Sequence, residues 1–263
     1  MKLHRITALL TRHLYLYKRS FPRVLEIIYW PFVDLIVWGF ITLYLGQFKG
    51  TLPSFVTFFL GALILWDVLF RAQQGITISF LEEIWSRNLM NLFASPLTPG
   101  EFLGATMLLS VAKVLAVSCV TMLAALAFYS FNVFVLGVSL VPFIFNLLIM
   151  GWCICILTTG LIMRYGQEVE VLAWGLVFLF QPISCVFYPI SVLPEWLQVI
   201  ARMNPAAHVF EGMRAVIVAG AFPTRELAWA ICLNALYLTG LIVWFHKMFA
   251  ACKDKGLLVR IGE

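Results

Sequence analysis

Apolar residues run along this chain in long blocks separated by short polar stretches. Six blocks approach the roughly 20 residues that a helix needs to cross a bilayer. They lie at about 27–46, 54–72, 102–128, 134–163, 170–189 and 227–248. The fourth is long for a bilayer, and Pro142 with Asn146 predicts a bend or tilt within it. Pro31 in the first predicts a kink there, and the fifth contains Pro182. Ahead of these blocks, residues 2–19 follow a different period. At 100° per residue Leu3, Ile6, Leu10, Leu14 and Tyr17 form one stripe, with Arg5, Arg12 and Arg19 nearly opposite. That pattern predicts an amphipathic helix lying on the inner leaflet.

Two polar connections have structure of their own. Residues 79–94 predict a separate surface helix. Glu82 and Glu83 would occupy its first turn, where carboxylates suit the helix dipole. Ile84, Leu89 and Leu92 supply its apolar side, and Ser95-Pro96 ends it. Thr98-Pro99-Gly100-Glu101 then reads as a capping box with proline at the first helical position, opening the third block. Residues 190–220 mix Glu195, Arg202, His208, Glu211 and Arg214 with Trp196, Leu197, Val209, Phe210 and Met213. They carry too much charge and proline to span and too much apolar surface for a solvated loop. Two short amphipathic helices at a membrane face are predicted. The first opens at Pro194; the second is capped by Asn204-Pro205 and ends at Gly220.

Composition turns these blocks into a class. The chain has 263 residues, 62% of them hydrophobic and 12% charged, and its mean hydropathy is +0.96. It reads as an all-α polytopic membrane protein with six transmembrane helices, one membrane domain over 1–263, and no room for a separate soluble catalytic domain. The net charge of +5 fits loops facing anionic lipid, with no nucleic-acid partner. With the N-terminus inside, the inner segments hold Lys2, Arg5, Arg12, Lys18, Arg19, Arg23, Arg71, Arg87, Arg164, Lys247, Lys253, Lys255 and Arg260. The outer ones hold only Lys49, Arg202, Arg214 and Arg225. This positive-inside bias predicts two cytoplasmic termini and an outer position for 190–226. The basic N-terminal stretch is too long for a cleavable signal peptide, and no cleavage site follows it.

Catalytic chemistry finds little support. The six cysteines form no CxxC pair and read as small core residues. The four histidines are scattered, and HExxH and Ser/His/Asp groupings are missing. No catalytic or metal site is predicted. No GxxxxGK[ST] loop occurs, so a nucleotide site would belong to a partner. Asp34, Asp67 and Lys113 fall inside predicted spans, where ionisable residues mark function by default. Asp67 is expected to pair with Arg71 one turn on, and Asp34 with Lys113 between the first and third spans. Phe178, Phe180, Phe187 and Tyr188 are expected near the outer end of the fifth span, beside a substrate path.

Phe187-Tyr188-Pro189, Leu193-Pro194-Glu195-Trp196-Leu197, Asn204-Pro205 and Glu211 through Arg214 resemble the segment before the last helix of ABC-2 type transporter permeases. Ala94-Ser95-Pro96-Leu97-Thr98-Pro99-Gly100-Glu101 is similar to that family's SPL-(S/T)-P-x-E stretch. The resemblance implies that 79–94 is a coupling helix, with Glu82, Glu83, Arg87 and Asn91 meeting an ATPase. It implies an outer gate or substrate path that includes Trp196, Glu211 and Arg214 with the aromatics above. It further implies a homodimer in the cytoplasmic (inner) membrane, joined by two ATPase subunits that hold ATP and Mg. Its expected cargo is lipophilic or amphipathic, with a polysaccharide or glycolipid as the alternative. From another class, an ion-coupled secondary transporter would use Asp34, Asp67 and Lys113, but no inverted repeat supports it.

Overall fold

The computed structural model describes residues 2–49 and 52–256. Arg260 lies outside the described residues, as does the side chain of Lys49. Ten α-helices carry these residues: α1 Leu3–Arg19, α2 Phe21–Lys49, α3 Leu52–Trp85, α4 Leu89–Ala94, α5 Pro99–Tyr129, α6 Leu140–Tyr165, α7 Leu172–Ile183, α8 Glu195–Arg202, α9 Pro205–Ala219 and α10 Thr224–Asp254. No strand occurs among the described residues. Among the described residues, four segments are long and apolar enough to cross a membrane: Phe21–Tyr44, Pro99–Tyr129, Val133–Val169 and Thr224–Asp254.

Helix α3 is the axis of the bundle. Leu60, Leu65, Leu69, Ile76, Phe80 and Leu81 on it are fully buried, as are the polar Gln73, Thr77 and Ser79. A helix enclosed on all sides is wrapped by its neighbours, and α2, α5, α6 and α7 do the wrapping. Small residues set the approach. A Cβ at Gly75 would sit 2.8 Å from that of Ser110 on α5, and one at Gly151 on α6 would sit 2.7 Å from the Leu69 carbonyl oxygen. Two buried clusters result. One surrounds the first half of α3; the other, around Ile76, Phe80, Ile84, Phe102 and Phe245, lies where α1 packs.

Several caps follow the sequence closely. Thr98 Oγ1 accepts from the Glu101 amide at 3.3 Å, and Glu101 Oε2 accepts from the Thr98 amide at 3.0 Å. Asn204 Oδ1 accepts from the Ala206 amide, Pro205 opens α9, and Gly220 closes it at φ +63°. In the fourth block a short 3-10 turn, Val133–Ser139, precedes α6. Asn146 there donates to the Pro142 carbonyl and receives Asn234 of α10.

Other expectations are corrected. The helix expected over 79–94 is divided. Residues 79–85 are the last turns of α3, Arg87 adopts the left-handed φ of +53°, and α4 is a separate helix of 6 residues. Burial of Gln73, Gln74, Thr77 and Ser79 carries α3 through a polar stretch that reads as a connection. The expected fifth span, 170–189, holds a helix of only 12 residues, about 18 Å long. It stops where Cys185 turns to φ +52°, and the Tyr188 hydroxyl donates back to the Pro182 carbonyl at 2.8 Å.

Candidate functional site

At the end of the bundle where α3 stops, α1 is held against it by charge. Arg12 donates to both Glu83 oxygens, at 2.5 and 3.1 Å, and Asn88 donates to Glu83 Oε2 at 2.6 Å. A second tie lies one helix away. The Lys2 amide donates to Glu101 Oε1 at 2.7 Å, and Arg5 reaches both the Pro96 carbonyl and Glu101 Oε2. Glu101 thus caps α5 and anchors α1 at once. The side of α1 that packs is Ile6, Leu9 and His13, while Leu3 and Leu14 of the expected stripe face outward at 74% and 48% exposure. Glu83 is 1% exposed, so it faces the protein interior, whereas Arg87 and Asn91 are exposed beside it.

His13 stands inside this clamp. Its ring is buried, Nε2 is 3.9 Å from Glu83, and neither ring nitrogen has a hydrogen-bond partner among the described residues. Burial lowers its pKa from 6.5 to about 4, against the upward pull of Glu83 and with Arg12, Lys113 and Arg23 also lowering it. The folded ring therefore stays neutral over a range in which the unfolded one is protonated. The contribution of His13 to stability is expected to be full above pH 6.5 and to be lost as pH drops toward 4, by up to about 3 kcal/mol. His13→Leu should remove this loss: unfolding midpoints in detergent at pH 7 and pH 5 should lie closer together than in the parent. An unchanged gap would show that other groups cause it.

Beside the clamp is a cavity of about 570 Å³ between α1, α2, α3, α5 and α7. Tyr17, Trp30, Phe70, Trp174 and Phe178 give it aromatic walls; Arg23, Arg71 and Lys113 face Asp34 and Glu82 within it. Arg23 pairs with Glu82 at 3.4 Å, and Arg71 pairs with Asp67 at 3.1 Å, one turn apart as expected. The pair expected between Asp34 and Lys113 is not among the ion pairs of the described residues. Lys113 instead lies 4.5 Å from the Tyr17 ring centroid and 3.5 Å from the Gly75 carbonyl. Both residues line one cavity, but the lysine stem leans toward Tyr17 of α1.

The aromatic set divides. Phe178 joins this cavity, 5.5 Å from Phe70. Phe187 stacks on Phe59 at 4.8 Å and on Trp38 at 5.8 Å, and Phe180 packs against the core. Trp196 is 68% exposed. Glu211 and Arg214 are structural ties: Glu211 accepts from the Ile190 amide, while Arg214 bonds Glu211 and the Cys185 carbonyl.

The family model for ABC-2 type transporters matches residues 5–218. The chain belongs to the ABC-2 type transporter family. A curated relative, ABC transporter G family member 20 of Dictyostelium discoideum, is 26% identical over 188 residues, which cover 69% of this chain and 25% of the relative. The chain thus spans about a quarter of that relative's length. For an ABC-2 chain, the informative addition is the clamp. Sequence reading missed Arg12, His13 and Asn88, although Arg12 on an amphipathic helix and two adjacent glutamates were the available signals.

Proposed function

We propose that the chain is the permease subunit of an ATP-driven ABC-2 exporter. It works as a homodimer with two cytoplasmic ATPase subunits, which hold ATP and Mg, and exports a lipophilic or amphipathic substrate across the cytoplasmic membrane. In this reading α3 and the stretch 170–189, of which α7 is the helical part, join the four long apolar segments to make six crossings, with both termini inside and α8 and α9 outside. Helix α1 lies on the inner leaflet, its exposed Leu3 and Leu14 toward lipid.

The cavity between α1, α2, α3, α5 and α7 is the observation that carries this reading. Its aromatic walls and opposed charges suit a molecule with an apolar body and a polar end, and about 570 Å³ is within the range of small-ligand pockets. A volume of that size favours a single amphipathic molecule over a polymer.

The turn after α3, with Arg87 and Asn91 exposed, is the surface that would meet the ATPase; Glu83 serves by holding α1. Arg87→Glu together with Asn91→Arg should lower ATPase co-purification and substrate-stimulated ATP hydrolysis about tenfold, the permease remaining folded. Unchanged partner binding and unchanged hydrolysis would overturn this assignment.

A further inference from the structure

A second cleft, of about 660 Å³, opens at the other end of the bundle between α8, α9, α10 and the segment from Pro189 to Ser191. Arg202, Arg225, His208, Glu211, Glu226 and Trp229 line it. Its charges sort themselves by contact. Glu211 is engaged by Arg214 at 2.9 Å and by the Ile190 amide at 2.8 Å. Glu226 lies 2.6 Å from His208 Nδ1, while His208 Nε2 lies 2.8 Å from the Arg202 carbonyl. A carbonyl only accepts, so Nε2 carries a proton; the short contact at Nδ1 needs another, on the ring or on the carboxyl. Either way the His208–Glu226 unit is neutral.

Both carboxylates are therefore neutralised, and two guanidiniums are left over. Arg202 and Arg225 are exposed, and neither has an ion-pair partner among the described residues. The His208–Glu226 bond fixes α9 to α10, and the His208 ring lies nearly parallel to Trp229, their centroids 6.3 Å apart. Arg225 and Trp229 are four residues apart on α10 and share a face. The cleft thus presents two forks able to take an oxyanion bidentately, above a flat apolar surface. Arg225 lies in the first turn of α10, the headgroup level if this helix crosses a bilayer.

We propose that this cleft binds a phosphate ester, with Arg202 and Arg225 on the phosphate and Trp229 against its organic portion. The phosphate could be that of a phospholipid headgroup or of a soluble phosphoester. The assignment is independent of the exporter reading, because binding can be measured without ATPase or transport.

Purified chain in an uncharged maltoside detergent at low salt would be titrated with dihexanoyl phosphatidylglycerol, glycerol 1-phosphate and dihexanoyl glycerol. Phosphorus-31 line broadening would follow the two phosphates, and thermal stabilisation all three. At least one phosphate compound should bind, and neutral dihexanoyl glycerol should not compete with it. Arg202→Gln and Arg225→Gln should each weaken binding about tenfold; the Lys variants should retain part of it, and Arg164→Gln at the opposite end should change nothing. Comparable binding of both phosphates indicates a soluble ester; binding of the lipid alone indicates a headgroup. The proposal is overturned if neither phosphate binds at about 10 mM, or if the Arg202→Gln/Arg225→Gln variant, folded by its unfolding midpoint, binds as the parent does.

Discussion

Arg12→Ala should destabilise the chain by about 3–5 kcal/mol, and adding Glu83→Gln to it should recover part of that loss. The asymmetry of the pair gives the reason. Arg12 is 39% exposed, whereas Glu83 is 1% exposed. Deleting the arginine strands a buried carboxylate beside a neutral His13, with Asn88 its remaining close partner. Breaking a buried pair from one side is the costly case, because the surviving charge has lost its water and its counter-ion together. Glu83→Gln alone should cost less, since Arg12 can swing into solvent. Unfolding midpoints in detergent, with protease release of α1 as a second readout, would rank the three variants. Equal effects for Arg12→Ala and the double variant would mean that Glu83 is not a stranded charge, and that the clamp holds through packing alone.

Gly151→Ala is expected to cost about 1–3 kcal/mol despite the better helix propensity of alanine. The added Cβ would sit 2.6 Å from the Ala72 Cβ and 2.7 Å from the Leu69 carbonyl oxygen. Neither is the end of a flexible side chain, so α3 and α6 must separate. Their close approach matters more in a membrane, where helices associate through packing and not by excluding water. Gly175→Ala is the control: apart from its chain neighbours and its own helix backbone, nothing among the described residues lies within 4 Å of its Cβ position, so only the propensity gain should remain. A Gly151→Ala chain with an unchanged unfolding midpoint, or one altered no more than Gly175→Ala, would show that the α3–α6 contact is softer than its geometry.

What could be read from the sequence was local. The Thr98–Glu101 capping box, the Asn204-Pro205 start and the Gly220 stop are short-range hydrogen-bond chemistry, complete within a few residues. What could not be read depended on neighbours. Nothing in Gln73-Gln74-Gly75-Ile76-Thr77 indicates that the helix continues, because the polar side chains are tolerated only once α5, α6 and α7 enclose them. Gln73 and Gln74 both donate to the Ala173 carbonyl, a hundred residues away. Likewise, the placement of Asp34 and Lys113 within predicted spans does not fix their directions around α2 and α5. The cavity itself is assembled from five helices, and no single stretch contains its pattern.

Helix α3 has 34 residues, a rod of about 51 Å. It supplies Phe70, Arg71, Gln74, Gly75, Ile78 and Glu82 to the cavity and ends at the exposed turn bearing Arg87. A rod cannot shift at one end and keep its other contacts, so cavity shape and turn position form a single coordinate. If a partner binds the turn more tightly in one setting of that coordinate, the cavity's affinity for its ligand changes. Thermodynamic linkage then makes the effect run backward with the same factor: the occupied cavity must alter the partner's grip on the turn. A messenger element between the two sites is unnecessary, because one helix belongs to both.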